Sequence, residues 1–330
     1  MKNLKRIISF VRNKTILSKF ITKIECRKNY LYDSKIFSQN CIDVKGKGQL
    51  TARILLIVHQ IEKGLTYKET RRIFGEKKIE LLISYIEKYL KLYTADDVII
   101  LAINILHVYA NSENSTKNVS VRNKINELLK INNNIIGQIE VGTKLVTEPH
   151  NFNEKDILYF FKSRSSVRSF SNNIITDEEI YKVIDFANCT PSACNRQASR
   201  VHVYRNKEKI RLLIDNQLGN QNWCDNADTL FVITSDMRYF NSSYEHLEPY
   251  IDGSLYAMNF VWGLHLYKIA SCYKMYVRLP NIDREFHSLS NIPNYEVPII
   301  LVLAGHYKDN AILSPKSYRF PSQDVLFMHK

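Results

Sequence analysis

The feature that most constrains the fold is a change of rhythm near the middle of the chain. From Ala52 to about Asn134, apolar residues recur at helical spacing with few Gly or Pro to interrupt them. Ile54 to Ile61 begins the pattern. Ile79, Leu82, Ile83, Ile86 and Leu90 sit on one broad apolar face. Val98 to Val108 is apolar nearly all round and so belongs in a core, and Val121 to Ile131 is a fourth helix. Residues 137–153 then bring Gly142, Thr143, Pro149 and Asn151. Beyond them, short apolar runs alternate with amphipathic ones. The sequence therefore predicts an α-helical region over 1–150 and an α+β domain over 151–330. Residues 30–50 read as irregular, and Gly64 reads as the C′ residue ending the helix that carries His59 and Glu62.

In the second region, helices are predicted over Asn153–Lys162, Lys207–Gln217 and Gly253–Ala270. Thr176-Asp177-Glu178-Glu179 is a capping box that opens a further helix to about Asn188. Strands are predicted at Arg200–Arg205, Thr229–Thr234, Cys272–Val277 and Val297–Ala304, making a sheet of four or five strands. The tail from His306 has little periodicity.

The chain carries 46 basic and 33 acidic residues, a net charge of +13. A basic balance can mark nucleic-acid binding. Here Lys, Asn and Ile are frequent throughout and no nucleic-acid motif accompanies them, so a solvated basic surface is expected and no nucleic-acid partner. Residues 1–30 hold nine Lys/Arg against Glu25, and Leu4, Ile7, Ile8 and Val11 share a helix face. Such a helix packs on its own protein, or lies on an anionic membrane or a partner. The six cysteines form no CxxC pair and no zinc spacing, which leaves free thiols and a reducing cytoplasm as the expectation, with no metal. The longest apolar runs are too short to span a bilayer.

Two segments carry candidate chemistry. In Arg164-Ser165-Ser166-Val167-Arg168, an extended backbone points Arg164, Ser166 and Arg168 the same way. Guanidiniums fork onto phosphate oxygens and Ser adds a compact donor. The same residues also describe a solvated basic strand. Thr190-Pro191-Ser192-Ala193-Cys194-Asn195-Arg196-Gln197 follows the capped helix. Its small residues admit close approach of a flat ring, and the Asn195 and Gln197 amides can pair with ring edges. Alone, it reads as an ordinary loop.

In order and spacing, the two segments resemble the nitroreductase family, which usually reads Arg-Arg-Ser-x-Arg-x-Phe, a helix, then Pro-Ser-x-x-Asn-x-Gln-Pro. Asp252-Gly253-Ser254 opening a long helix, Ile269-Ala270-Ser271-Cys272, Ile292-Pro293 before Pro298–Gly305, and Ser314-Pro315-Lys316-Ser317-Tyr318-Arg319 extend the resemblance over about residues 155–330. It implies a nitroreductase-like mixed sheet flanked by helices, FMN as cofactor, NADH or NADPH as electron donor, and a small-molecule substrate. It further implies an intertwined homodimer with its sites between subunits. Arg164, Ser165 and Ser166 would lie at the FMN phosphate, with Arg319 closing on it. Arg168 would stand at the pyrimidine edge. Pro191, Ser192 and Asn195 would line the ring, and Cys272 would approach through backbone. The reaction would occur on the flavin, with no catalytic residue of the protein required; Tyr256, Tyr273 and Tyr276 are donors or aromatic core. Ser165, Ala198 and Ala270 depart from the family's Arg, Pro and Gly; Ser165 and Ala270 support the alternative, a non-catalytic module docking on a polysaccharide-assembly partner or a membrane surface.

His59-Gln60-Ile61-Glu62-Lys63-Gly64-Leu65 with Arg71-Arg72-Ile73-Phe74-Gly75 looks like the helical extension of longer nitroreductase-like proteins, many encoded among genes for bacterial surface-polysaccharide synthesis. That likeness suggests a sugar-linked or lipid-linked substrate.

Overall fold

The computed structural model describes residues 16–41, 46–66, 75–112, 119–218, 226–309 and 312–329. The expected face of Leu4 to Val11, the Arg71–Phe74 stretch and Trp223 lie outside them. The helical region comprises α1 (Ile16–Cys41), α2 (Lys47–Leu65), α3 (Glu76–Leu92), α4 (Asp97–Ala110) and α5 (Val119–Ile131). Ile54, Ile61, Ile79, Leu82, Ile103 and Ile125 from the last four form one core. Each such side chain contributes roughly 1.5–3 kcal/mol on full burial. The lone amide in apolar α4, Asn104, is buried but satisfied. It donates to the Ile139 carbonyl at 3.0 Å and accepts from the Gly137 amide at 2.9 Å, which fixes the chain as it leaves this core.

Two expectations fail here. Residues 30–41 and 47–50 are not irregular: α1 runs to Cys41 and α2 starts at Lys47. Few buried apolar residues hold α1, chiefly Phe37 and Cys41, so no stripe marks it in the sequence. Polar contacts supply the rest. Tyr32 donates to Asp283 at 2.7 Å, and Arg278 donates to Asp33. Nor does Gly64 end its helix. It lies inside α2, and the Thr66 amide closes the end on the Lys63 carbonyl at 3.2 Å.

The α+β region contains α6 (Glu154–Ser163), α7 (Asp177–Ala187), β1 (Ser199–Tyr204), α8 (Lys207–Asn216), β2 (Thr229–Asp236), α9 (Glu248–Leu266), β3 (Ile269–Met275), α10 (Pro280–Ser290), β4 (Glu296–His306) and a short α11 (Ser322–Val325). The sheet order is β1-β2-β4-β3 with antiparallel pairs. A parallel bridge, Ser166 to Ser271, extends it past β3 and makes it mixed. Thus the expected α+β architecture, a mixed sheet flanked by helices with a helical region before it, is the one observed. The long helix begins at Glu248 and ends at Leu266, earlier at both ends than its apolar run indicated, and Ile269–Ala270 belong to β3. The capping box at Thr176 forms as predicted, with Glu179 returning to the Thr176 amide at 2.8 Å.

One face of the sheet packs Leu230, Val232, Leu301 and Leu303 against α8 and α10. The other packs Phe231, Ile233 and Val302 against α7 and α9. The helical region docks through a third cluster, with Ala52 and Leu55 of α2 against Ala198, Met237 and Phe240. Arg238 completes the joint. It forks onto Asp236, lies 3.5 Å from the Tyr295 ring centroid, and fills the space beside Gly48, where a Cβ would come within 2.8 Å of the guanidinium.

Candidate functional site

The first part of the site follows from how the chain leaves α6. The Asn153 side chain caps the helix start by accepting from the Lys155 amide at 3.1 Å. After Arg164 the chain is extended and lies along the free edge of β3, where the Val167 amide donates to the Ser271 carbonyl at 2.9 Å. Alternation then puts Val167 in the core and leaves Arg168 exposed, with Arg164, Ser165 and Ser166 half-buried. Phe170 is fully buried over Gly305, where a Cβ would come within 2.7 Å of the Phe170 Cβ.

Arg164, Ser166 and Arg168 all act on the Cys272 thiol. Burial pushes the Cys272 thiol up, while Arg168, a hydrogen bond with Ser166, Arg164 and Lys274 pull it down. Arg168 Nη1 donates to the Ser166 carbonyl at 3.3 Å, and the Ser314 hydroxyl reaches the same oxygen at 3.3 Å, tying the tail to this segment. Arg319 is exposed. Its Nη1 donates to the Ser317 and Tyr318 carbonyls and makes no hydrogen bond to Arg164 or Ser166. Ala270 needs no glycine conformation, because it is an ordinary strand residue paired with Gly305.

Around Arg164 the neutral forms of nearby groups are favoured. Burial holds the His265 imidazole below its usual range, and the Arg164 charge adds to that. His265 Nε2 lies 2.8 Å from the Ser163 hydroxyl. Burial pushes the Tyr273 hydroxyl up to about 12, and it donates to the Ala257 carbonyl at 3.0 Å.

The second part is the loop after α7. The Ser192 hydroxyl accepts from the Gln197 amide at 3.0 Å, and both Asp252 carboxylate oxygens accept from the Ala193 amide at 3.1 Å. Cys194, Asn195 and Gln197 all have φ of 54°, left-handed backbone without glycine. Each such residue costs roughly 1–3 kcal/mol, and persists only where its surroundings enforce it. A cavity of about 140 Å³ opens here, lined by Pro191, Ser192, Gln197, Arg200, Asp252 and Tyr256 among others. Asn195 is exposed and does not line it, and the Gln197 side chain turns back to the Asn195 carbonyl at 3.4 Å. The Tyr256 hydroxyl, raised to about 12 by burial, donates to Asn188 at 3.2 Å. Tyr276 donates instead to Asp283 at 2.7 Å, in a network under α1.

Sequence reasoning missed two residues here. Arg196 points inward, fully buried, pairing with Glu245 at 2.6 Å and stacking on Phe240 at 4.9 Å. Arg200 donates to the Gln197 carbonyl at 2.9 Å and covers the Tyr239 ring. Glu245, Phe240 and Tyr239 are some 40 to 50 residues away in sequence, so no local spacing marks these contacts.

The two parts do not meet within one chain. Asp252 braces the loop from the start of α9, while His265, beside Arg164, lies at its end. At a rise of roughly 1.5 Å per residue they are about 20 Å apart along the axis. Between them α9 exposes Ile251, Leu255 and Met258 in one row, with Leu266 beyond. Next to that row stands α6, which buries none of its residues and stacks Phe160 and Phe161 on Trp262.

Residues 161–218 match the model of the Nitroreductase family. The matched span holds Arg164–Arg168 and Pro191–Gln197, and ends before Cys272 and Arg319. Among solved structures, a nitroreductase family protein from Clostridium difficile 630 is 24% identical, covering 55% of this chain and 99% of that one at a TM-score of 0.44. One from Streptococcus pneumoniae TIGR4 is 18% identical, covering 52% and 100% at 0.44. An FMN-dependent nitroreductase from Clostridium difficile R20291 is 19% identical, covering 51% and 93% at 0.41. A search of curated proteins found no match.

Proposed function

We propose that the protein is an FMN-dependent oxidoreductase that takes electrons from NADH or NADPH. The observation that carries this reading is the placement of Arg164, Ser166 and Arg168 along the free edge of β3, pinned there by the Val167 amide on the Ser271 carbonyl at 2.9 Å, within the span that matches the family. Two guanidiniums and a hydroxyl on one strand edge form a donor set that fits a phosphate and an electron-rich ring edge. Arg164 and Ser166 hold the phosphate, with Ser165 beside them. Arg168 would set a positive charge near the flavin ring, which would favour the reduced cofactor. Arg319 of the tail would close on the phosphate. What bound FMN supplies is hydride acceptance from the nicotinamide and electron delivery to an acceptor. The Tyr256 and Tyr273 hydroxyls are protonated and already donating, so this reading assigns no proton transfer to them.

The complete site needs two copies of the chain. The phosphate edge of one copy faces the Pro191–Ser192 loop and exposed Asn195 of the other. The exposed row on α9, unburied α6 and the exposed Leu313, Phe320 and Phe327 of the tail form the contact between them. We place the acceptor among sugar-linked or lipid-linked precursors of surface polysaccharide, on the likeness of residues 59–75 to longer family members, and the enzyme in the cytoplasm. No helix among the described residues is long and apolar enough to cross a membrane.

The test is the absorption spectrum of the purified protein, which is expected to be yellow and to bleach with NADH or NADPH. A colourless protein that cannot be reconstituted with FMN overturns the reading.

A further inference from the structure

A second cavity, which shares no lining residue with the one at Pro191–Ser192, lies between α1 and the start of α9. Its volume is about 460 Å³, within the range of small-molecule sites. Phe37, Met237, Leu247, Pro249 and Tyr250 supply apolar walls, and Ser34, Ser38, Ser243 and His246 stand among the lining residues, with His246 Nδ1 engaged on the Ser243 carbonyl at 3.2 Å. Arg278 also lines it. Its Nε donates to Asp33 and its Nη1 donates to Asp283 at 2.9 Å, so one guanidinium is shared by two carboxylates. Asp283 is saturated further by the Tyr32 and Tyr276 hydroxyls, each at 2.7 Å.

This arrangement selects by charge. An added anion would meet Asp33, and an added cation would meet Arg278 with both of its carboxylates already engaged. The polar capacity left over is for a neutral group. The Tyr250 hydroxyl makes no hydrogen bond among the described residues, and burial raises it to about 12, so it stays a donor. The flat rings of Phe37 and Tyr250 favour a planar body.

We infer that this cavity binds an uncharged, planar, mostly apolar small molecule whose carbonyl or amide oxygen accepts from Tyr250. Because α1 forms one wall, the ligand also clasps α1 to the sheet domain. The site is distinct from the proposed flavin site and does not depend on it.

The test is calorimetric titration of the full chain in excess FMN with three probes of one shape: naphthalene-2-carboxamide, 2-naphthoate and 2-naphthylmethylammonium. The carboxamide is expected to bind saturably and both ions about tenfold or more weaker, a difference near 1.4 kcal/mol. Ser34→Trp, an exposed change that fills the cavity, should abolish carboxamide binding, and Tyr250→Phe should weaken it about threefold to tenfold, the range of one neutral hydrogen bond. Circular dichroism checks that both variants fold. Absence of saturable binding, equal affinity for the ions, or unchanged binding in folded Ser34→Trp overturns the inference.

Discussion

Asp252 holds the Ala193 amide with both carboxylate oxygens, each at 3.1 Å. The residues that follow Ala193 adopt left-handed backbone at Cys194, Asn195 and Gln197, so this contact restrains a loop that would otherwise relax. A hydrogen bond to a charged group contributes roughly 1.5–3 kcal/mol. Asp252→Ala is therefore expected to lower stability in urea by about that much and to weaken FMN binding, read by fluorescence titration. Loss of stability with unchanged FMN affinity would detach this loop from the cofactor.

Gly305 and Phe170 make a second close approach, one that sets where Arg168 emerges. An added Cβ would fall 2.7 Å from the Phe170 Cβ, and Phe170 has no open space to retreat into. Overpacking of this kind costs roughly 1–3 kcal/mol. Gly305→Ala should lower the melting temperature and displace the 164–170 segment, loosening FMN as well. A variant with wild-type melting and FMN affinity would show that the segment tolerates the shift.

The pair Arg196–Glu245 gives the molecule an acid-sensitive joint. Burial alone would raise the Glu245 carboxyl, but Arg196 and the Asn241 and Ser242 amides outweigh it and hold it below the usual range. A carboxyl with a depressed native pKa stabilises the fold fully above its unfolded value, about 4.3 for Glu. That stability is lost as pH falls through the lower native value. Glu245→Gln should flatten the acid limb of melting temperature against pH. At neutral pH it should cost about 3–5 kcal/mol, because Arg196 is left buried without its countercharge. An unchanged acid limb would assign that limb to other carboxylates.

These partners also mark where the sequence stops being informative. Strands β2 and β4 were legible as apolar runs because they are central and buried on both faces. The Thr176 capping box and the alternation of Arg164, Ser166 and Arg168 were legible because both are encoded within a few residues. Helix α1 was not. It is held at one end by Phe37 and Cys41 and otherwise by Tyr32 and Asp33 reaching Asp283 and Arg278, which leaves no periodic stripe. Arg196 looked like one more loop cation, and only the folded chain brings Glu245 to it. The same holds for the separation of the two parts of the site, which depends on the length of α9 and on which end each segment reaches.

The last prediction divides the labour of two arginines. Arg168 follows the Ser166–Ser271 bridge by two residues and its Nη1 donates back to the Ser166 carbonyl at 3.3 Å, so its charge stands at the β3 edge. Arg319 lies on the exposed tail and, among the described residues, donates to the carbonyls of Ser317 and Tyr318. A charge fixed at the ring edge acts on the difference between oxidised and reduced cofactor; one that closes on the phosphate acts equally on both. Arg168→Ala should therefore lower the flavin midpoint potential, by roughly 30 mV for each 1.4 kcal/mol of lost differential stabilisation in a two-electron couple, and slow NADH-driven bleaching. Arg319→Ala should raise the FMN dissociation constant about tenfold, near 1.4 kcal/mol, with the potential unchanged. Spectroelectrochemistry and equilibrium dialysis on both variants decide the matter, and equal effects on potential and binding would reverse the assignment.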